Sequence, residues 1–365
     1  MDTVFRAEVI GSMLRPAYLH RAREALRAGE LPVAEFKRIE DRAVDQVIAM
    51  QEGAGVDVVT DGEMRRMFFM GPLFETVEGL EPVSGHTMPW HTPDGGEIEW
   101  EMPLVVTGKL RKRRSMVTEE YSYARARARL PLKATVPSPL MLFPLWSPEH
   151  SAGAYADPFA LFADGVDIVR SEALELAALG CTYIQVDAPE LATLVDPKVC
   201  EWYASRGMPA ERLLTEGIDM INAAVSEIPG VRLGIHLCRG NNAGMWMSEG
   251  GYDSIAKALF ERTPAFDAYL LEYDDYRSGS FEPLAYAPQD KEVVLGLVST
   301  KRPDMETPEG LRARIEEAGR FFPREQMALS TQCGFASNAA GNPISEEAEE
   351  DKLRLVADVA HGVWT

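Results

Sequence analysis

The stretch GIHLCRGN places a histidine and a cysteine two positions apart within an apolar run. These residues are His236 and Cys238, and a glycine follows soon after them. Alternate residues of a β-strand point to the same side, so both side chains can approach one ion if the run is a strand. Histidine nitrogen and cysteine sulfur are ligands that Zn2+ prefers. A buried thiol beside a hydrogen-bonded core histidine would show the same pattern, so the pair alone does not establish a metal site.

Further metal-ligating residues end two other apolar runs. Glu272 follows the run AYLL, and Cys333 follows LSTQ. With His236 and Cys238 they offer two thiolates, one imidazole and one carboxylate, a set that suits a four-coordinate zinc ion. We therefore predict that these four residues bind Zn2+ together. Small, polar or charged residues end the remaining runs, namely Gly11, Ser12, Asp61, Glu63, Ser138, Asp187 and Lys301.

The elements that must position these residues alternate along the chain. Eight runs rich in β-branched and apolar residues are predicted as strands: 5–12, 56–63, 133–142, 181–190, 232–240, 268–275, 293–301 and 327–335. Segments of helical period lie between them, at 33–55, 157–180, 210–227, 252–262, 307–319 and 345–363. Apolar strands that alternate with helices are typical of a parallel sheet covered by helices. Eight such units favour an α/β fold of the (β/α)8 TIM-barrel class over an open, doubly wound sheet.

A closed barrel brings the polar residues together, because the carboxyl ends of all its strands meet at one mouth. The region 64–132 interrupts the alternation with glycines, prolines and strand-like patterns. We predict that it forms a β-hairpin excursion after the second strand and lies over the barrel mouth. No interdomain linker is evident, so residues 1–365 are predicted to form one domain that includes this insertion.

The composition restricts the expected partners. Lys and Arg number 37 against 57 Asp and Glu, which gives a formal net charge of −20 and a pI near 4.8. Nucleic acids and anionic membranes attract positively charged surfaces, so we expect neither as a partner. No apolar run reaches the roughly 20 residues of a membrane span, and the N-terminus lacks a signal-peptide pattern. We therefore expect a cytoplasmic location. The sequence leaves open whether the chain forms a homo-oligomer or works with a helper protein.

The cysteine number gives no reason to expect disulfides. Four cysteines occur, Cys181, Cys200, Cys238 and Cys333. So few in a chain of this length do not form a disulfide framework, and in a reducing compartment they stay as thiols.

Several of these segments resemble a known family in order and spacing. GIHLCRGN, LLEYDD, VVLGLVSTKRPDMET and LSTQCGFAS are similar to the C-terminal catalytic barrel of the cobalamin-independent methionine synthases, as are IGSMLRP, TDGEMRR and IQVDAPEL. The resemblance runs from about residue 7 to the C-terminus and is weakest over 75–130. It looks closest to short, single-barrel bacterial relatives described as methyltetrahydropteroyltriglutamate–homocysteine methyltransferases.

The resemblance implies a zinc-dependent thiol methyltransferase with a (β/α)8 barrel. The methyl group would pass from 5-methyltetrahydrofolate, polyglutamylated or not, to zinc-activated homocysteine, giving methionine. Coordination to Zn2+ removes the proton of a thiol and makes it a nucleophile. The resemblance assigns the zinc to His236, Cys238, Glu272 and Cys333. It assigns the amino-acid part of homocysteine to Ile10, Gly11, Ser12, Glu63 and Asp187, and the candidate catalytic residues are Asp187 and Lys301.

The sequence departs from the full-length enzymes of this family at two points. Lys301 stands where those enzymes have a histidine that is regarded as the proton donor. A desolvated lysine beside zinc could donate a proton, or it could bind an anionic substrate, and the sequence does not separate the two roles. The full-length enzymes also carry an additional N-terminal barrel that helps to bind the folate, and this chain has no counterpart of it. The folate donor therefore follows from the resemblance alone.

Other functions remain open at this point. The closest is zinc-thiolate alkyl transfer with another thiol or donor, such as coenzyme M with an epoxide, or a methyl-corrinoid protein. A zinc hydrolase is less compatible with two thiolate ligands, which weaken the Lewis acidity of the metal, and a non-catalytic zinc protein would leave the acids at the strand ends unexplained. Two basic clusters, 109–114 and 124–129, could attract an acidic donor, but the sequence favours a solvated surface for both. In the second cluster arginine alternates with alanine, which predicts that Arg125, Arg127 and Arg129 lie on one face of a strand.

Overall fold

A parallel sheet forms the centre of the computed structural model, which describes residues 4–84, 86–102 and 104–364. The strands of the described chain are β1 (Ala7–Glu8), β2 (Val77–Pro82), β3 (Thr87–His91), β4 (Glu97–Glu101), β5 (Leu104–Lys112), β6 (Ala134–Pro137), β7 (Tyr183–Asp187), β8 (Arg232–Leu237), β9 (Ala268–Glu272), β10 (Glu292–Val298) and β11 (Met327–Thr331). Seven of them form the central sheet, in the order β1-β11-β10-β9-β8-β7-β6, and all neighbours are parallel. The predicted α/β, TIM-barrel-like architecture is confirmed.

The eighth strand position is filled by an irregular segment. The prediction of a regular strand over 56–63 is wrong, although the segment lies between β1 and β6. The Asp57 N–H donates to the Ala7 carbonyl at 2.9 Å, and Val59 pairs with Leu132 just before β6. Side chains replace the rest of the ladder: the Asp57 carboxylate accepts from the backbone of Ala7 at 3.0 Å, and the Gln51 side chain binds both backbone groups of Thr60 at 2.9 Å. The ring of the barrel is therefore completed without a regular eighth strand.

Helices surround the sheet. They are α1 (Ala17–Arg27), α2 (Val33–Ala54), α3 (Gly71–Glu75), α4 (Thr118–Arg125), α5 (Pro158–Ala178), α6 (Pro189–Ala192), α7 (Pro197–Ala204), α8 (Ala210–Arg212), α9 (Ile218–Val225), α10 (Ala256–Arg262), α11 (Pro308–Ala318) and α12 (Glu346–Val363). The bounds of the helices α2, α5, α11 and α12 agree with the predicted helical segments to within a few residues. Helix α5, for example, begins after Asp157, whose carboxylate accepts from the Phe159 N–H at 3.1 Å and so caps the helix. None of the helices in the described residues has the length and apolar content that a bilayer span requires.

The excursion after the second strand position contains two small antiparallel sheets and the helices α3 and α4. Strands β2 and β5 pair with each other, and β3 and β4 form a hairpin. The strand-like alternation expected at 124–129 is wrong, because α4 and a following turn occupy this part. Glu119 and Glu120 in the first turn of α4 favour a helix start, and Tyr121 and Ala124 share a buried face.

The basic clusters of the excursion contact acidic residues of neighbouring elements. Lys112 binds Glu172 and Glu175 at 2.9 Å each, and Arg127 binds Asp45 at 2.6 Å. These pairs are consistent with the solvated surface that the sequence favoured over an anion-binding patch.

A network of buried charges fills the amino end of the barrel. Lys133 donates to Glu8 at 2.9 Å, and the Tyr183 hydroxyl donates to the same carboxylate at 3.1 Å. Arg232 donates to Glu292 at 2.7 Å. Lys133 directly precedes β6, and Tyr183, Arg232 and Glu292 each begin a strand. We call this cluster of five residues the barrel floor; it leaves the opposite, carboxyl end of the barrel for ligands.

Candidate active site

Three of the four predicted zinc ligands converge at the carboxyl end of the barrel. His236 lies in β8, Cys238 follows β8, and Cys333 follows β11. Their ligand atoms all lie within 4.8 Å of one another, and all three side chains are buried. These three residues are called the ligand triad below. Two of them come from β8 and its end, and the third follows β11, so the barrel brings together residues that are far apart in sequence.

The donor atoms of the triad suit a metal ion. His236 Nδ1 lies 3.2 Å from the Leu270 carbonyl oxygen, which can only accept, so Nδ1 carries the hydrogen. Nε2 is therefore a lone-pair donor, and this buried atom has no hydrogen-bond partner. The hydrogen bond from Cys238, together with His236, outweighs burial and lowers the pKa of the Cys333 thiol well below its usual value. The residues present therefore fit a zinc ion.

Glu272, the fourth predicted ligand, lies outside the triad. Its carboxylate is fully buried and accepts from the Lys301 ammonium at 2.9 Å and from the Arg239 backbone N–H at 2.5 Å. Burial alone would raise the pKa of Glu272, but Lys301, Arg239 and Arg277 together outweigh it and lower that pKa to about 2. In this structure Glu272 is thus a carboxylate paired with cations rather than a member of the triad.

Lys301 forms an ion pair with Glu272, and it is not among the described residues that line the cavity reported below. Burial would lower the pKa of its ammonium, but Glu272 and Asp274 outweigh burial and raise it. The ammonium is therefore stabilised in its charged form. This geometry favours neither of the two roles considered from the sequence, a proton donor of lowered pKa or an anchor for an anionic substrate.

One cavity holds the triad and all of the predicted substrate-binding residues. Its described lining includes Ile10, Gly11, Ser12, Glu63, Asp187, His236, Cys238 and Cys333. Glu272 and Lys301 are not part of that lining. Apolar side chains cover much of the rest, and six of them come from the excursion. Three of these six, Met88, Trp90 and Met102, lie in or directly after the hairpin of β3 and β4. We call these three residues the apolar roof.

Hairpin β3–β4, which carries most of the roof, is fixed to the loop that follows the triad residues of β8. The His91 N–H donates to the Trp246 carbonyl at 2.8 Å, and the Trp246 N–H donates back at 3.2 Å. Met247, the next residue, lines the cavity. The roof and one wall of the cavity therefore form a connected unit.

Glu63 is held firmly at the cavity wall. Its backbone has a φ of 53°, which is uncommon for a residue other than glycine. The Thr135 hydroxyl donates to Oε1 at 2.9 Å, and the Arg66 guanidinium lies 3.5 Å from the same oxygen. Oε2 is buried and has no hydrogen-bond partner. A Cβ on Gly11 would lie 2.9 Å from Oε1, so this close approach requires glycine at position 11.

Asp187 and Glu190 add two more buried carboxyl groups to the same wall. Asp187 accepts from the Gln185 amide at 2.7 Å, and burial raises its pKa to about 7. Burial also raises the pKa of Glu190 to about 8. The sequence reasoning missed Glu190, although it stands in the segment IQVDAPEL. The available signal was a second acid three residues after Asp187, at the start of the short helix α6.

Comparisons with known proteins agree with this geometry. The model of the catalytic domain of the cobalamin-independent synthases matches residues 5–361. The uncharacterised protein YxjG of Bacillus subtilis is 34% identical over 370 residues, which cover 99% of this chain and 95% of that protein. The methionine synthase of Saccharolobus solfataricus is 26% identical over 327 residues, which cover 89% of this chain and 86% of that protein.

A solved structure has the same fold. The crystal structure of a Listeria monocytogenes protein, assigned as a vitamin-B12-independent methionine synthase, has a TM-score of 0.76 and 26% identity, and the match covers 100% of this chain and 99% of that one. Sequence and fold thus agree over nearly the whole length. The chain is a methyltransferase that belongs to the cobalamin-independent methionine synthase family and corresponds to its catalytic domain.

Proposed function

We propose that this enzyme transfers the methyl group of 5-methyltetrahydrofolate to the sulfur of homocysteine, giving methionine, with a zinc ion held by the ligand triad. The observation that carries the proposal is the convergence of His236, Cys238 and Cys333 within 4.8 Å on a cavity that Glu63 and Asp187 also line. Zinc bound there lowers the pKa of a thiol ligand, so that the thiol ionises near neutral pH. Glu272 as a fourth ligand and Lys301 as a catalytic group stay predictions.

The chain's own residues would orient the acceptor. The carboxyl groups of Glu63 and Asp187 are buried and face the cavity, so an ammonium group is the natural partner for their charge. Gly11 and Ser12 lie beside Glu63 on the same wall, where a backbone N–H or the Ser12 hydroxyl can donate to a carboxylate. An amino acid that ends in a thiol satisfies both groups and reaches the triad with its sulfur.

The lining disfavours one alternative acceptor. No lysine or arginine is among the described residues that line the cavity, whereas three carboxyl residues are. A sulfonate thiol such as coenzyme M would therefore meet like charge without a cationic partner. The folate donor is supported by the family, and a methyl-corrinoid protein is the alternative donor that the experiment must separate from it. The cytoplasmic location stays a prediction.

Zinc content and thiol binding test the proposal. Purified protein is analysed for metal, and zinc X-ray absorption is recorded with and without homocysteine. We expect one zinc ion per chain, with one additional sulfur neighbour when homocysteine is present, and methyl transfer from 5-methyltetrahydrofolate. A zinc site that gains no sulfur from any thiol would exclude alkyl transfer at this metal. If the zinc gains a sulfur neighbour but the folate is not consumed, homocysteine stands as the acceptor and 5-methyltetrahydrofolate is excluded as the donor.

A pair of cysteine variants provides the control. Cys333→Ser removes a triad thiol and should lower zinc affinity at least about tenfold in a chelator competition. Cys200→Ser removes a thiol of α7, whose sulfur lies 3.2 Å from the Leu194 carbonyl and outside the triad. It should keep the zinc affinity of the parent protein. Equal zinc loss in both variants would mean that the metal does not depend on the triad.

A further inference from the structure

Methyl transfer from a reduced folate requires a proton donor, and the proposed function does not yet name one. When the carbon–nitrogen bond breaks, its electron pair stays on the donor nitrogen, and protonation of that nitrogen makes it a better leaving group. Lys301 was the candidate proton donor, but it pairs with Glu272 and does not line the cavity. Three carboxyl residues belong to the described lining, and the proposed function assigns Glu63 and Asp187 to the ammonium group of the acceptor, which leaves Glu190.

Glu190 has the geometry of a proton donor. It lies on α6 directly after β7, its side chain is buried, and it lines the cavity. The Ser138 hydroxyl accepts from the Leu140 N–H at 3.1 Å and gives its own hydrogen to Glu190 Oε1. Oε1 thus acts as an acceptor, so the proton of a neutral Glu190 resides on Oε2. Oε2 is buried and has no hydrogen-bond partner in the described structure.

The surroundings of Glu190 favour its neutral form. Burial raises the pKa of its carboxyl group to about 8; the Ser138 hydrogen bond opposes this and Asp187 adds to it. Asp187 and Tyr203 are the titratable groups that interact with it, and neither is a cation. Glu63 differs, because Arg66 and Arg15 stabilise its charged form and partly offset the effect of burial on its pKa.

We propose that Glu190 is the general acid of methyl transfer and that its Oε2 proton passes to the donor nitrogen as the methyl group leaves. This inference rests on the proposed function. The sulfur electron pair forms the new S–CH3 bond, the pair of the broken C–N bond stays on nitrogen, and that nitrogen takes the proton of Glu190. The proton that the homocysteine thiol gives up restores Glu190. The overall reaction exchanges the hydrogen of the thiol for the methyl group of the donor.

Two methyl donors that differ in their leaving groups test this role in the zinc-loaded enzyme. The nitrogen of 5-methyltetrahydrofolate needs a proton on departure, whereas trimethylsulfonium releases neutral dimethyl sulfide and needs none. We expect Glu190→Gln to lower the rate with the folate by about 10²- to 10⁴-fold, the range typical of general acids. The rate with trimethylsulfonium should change less than about threefold. The parent enzyme should lose folate turnover as Glu190 ionises above about pH 8, and the variant should lack this decline.

A matched variant controls for the substitution itself. Glu349→Gln makes the same change at another buried glutamate, whose pKa burial also raises to about 8 and which is not part of the cavity lining. It should keep both rates. Equal loss of both rates in Glu190→Gln, or no loss in either, would overturn the proposed role. Loss of the homocysteine-dependent sulfur signal at zinc would also overturn it, since Glu190 would then bind the ammonium group.

The parent enzyme separates failure of this inference from failure of the proposed function. If the parent enzyme uses both donors and only the variant result is wrong, Glu190 is not the acid and the proposed function stands. If the parent enzyme uses trimethylsulfonium but not the folate, the donor assignment and this inference both fall. If it methylates homocysteine from neither donor, the proposed function itself is overturned.

Discussion

Glu63 shows how single residues shape the cavity wall. Its positive φ of 53° is a strained conformation that costs on the order of 1–3 kcal/mol in proteins. The buried Arg15 guanidinium donates to the Glu63 carbonyl at 2.7 Å, and Thr135 binds the carboxylate. These contacts hold the strained backbone, and the close approach of Gly11 leaves the carboxylate one position to occupy.

Substitution of Gly11 should therefore act on acceptor binding. In Gly11→Ala the new methyl group would stand 2.9 Å from Glu63 Oε1 and displace the carboxylate. Overpacking of about 1–3 kcal/mol corresponds to affinity for homocysteine that is weaker by about 5- to 150-fold. Isothermal titration of the zinc-loaded protein measures this change.

Gly53→Ala is the matched control for that variant. Gly53 lies inside helix α2, and an added Cβ would have no neighbour within 4 Å. This variant should keep homocysteine affinity and gain about 0.5–1 kcal/mol in free energy of unfolding, because alanine favours the helix. Unchanged affinity in Gly11→Ala would mean that the Glu63 carboxylate does not bind the acceptor.

Residue types and strand spacing predicted the triad, but they did not predict its neighbours. His236 and Cys238 were paired by the two-residue period of a strand, and Cys333 by its place at another strand end. Glu272 and Lys301 follow different strands and pair through their long side chains. Spacing along the chain does not indicate which cation a buried carboxylate will bind. Glu190 was missed because its importance depends on burial and on the Ser138 hydroxyl, which only the fold places beside it.

At the scale of elements, periodicity located the long helices α2, α5, α11 and α12 and most strands, but it did not identify α1. It also failed where side chains replace backbone pairing. The segment around Val59 has the composition of a strand, but Asp57 and Gln51 satisfy backbone groups that a ladder would otherwise use. Near α4 the alternation of arginine and alanine indicated a strand. There the carboxylate of Glu172 accepts from the backbone N–H groups of Met116 and Val117, directly before the first turn of the helix.

Helix α12 is tied to the segment that follows β1 through a buried acid. Glu349 accepts from the Leu14 N–H at 2.8 Å, and burial raises its pKa to about 8. Between pH 4.5 and 8 the folded chain keeps a proton here that the unfolded chain releases. The free energy of unfolding therefore falls as the pH rises through this window, by about 1 kcal/mol per unit from this group.

Glu349→Gln tests this dependence, since the amide is neutral at every pH and its oxygen can still accept from Leu14. Urea unfolding of the parent and variant is measured at several pH values from 5 to 8. We expect the parent to lose stability relative to the variant as the pH increases. A constant difference across the range would show that Glu349 ionises normally in the folded state.

On the scale of the whole molecule, the barrel floor joins strands that are far apart in sequence. Lys133 and Glu8 are both fully buried and lie 2.9 Å apart. Burial lowers the pKa of Lys133, and Glu8 opposes this effect. Removal of one partner leaves the other charge buried and unpaired, so Lys133→Met should reduce the free energy of unfolding by about 3–5 kcal/mol in urea titrations.

Two further variants show whether the loss comes from the unpaired charge. The double variant Glu8→Gln/Lys133→Met removes both charges and should be more stable than Lys133→Met alone. Lys37→Met breaks a solvent-exposed pair with Glu119 and should change stability far less. A double variant that is less stable than Lys133→Met would contradict the assigned role of the floor.

Under the proposed function, the floor and the apolar roof together determine the order in which the two substrates bind. The buried charges of the floor occupy the amino end of the barrel, which leaves the opposite end, beside Met88 and Trp90, as the expected entrance. The amino-acid thiol has to reach the ligand triad, and a larger donor that followed the same route would stand between it and solvent. We therefore expect the smaller molecule to bind first and its methylated form to leave after the spent donor.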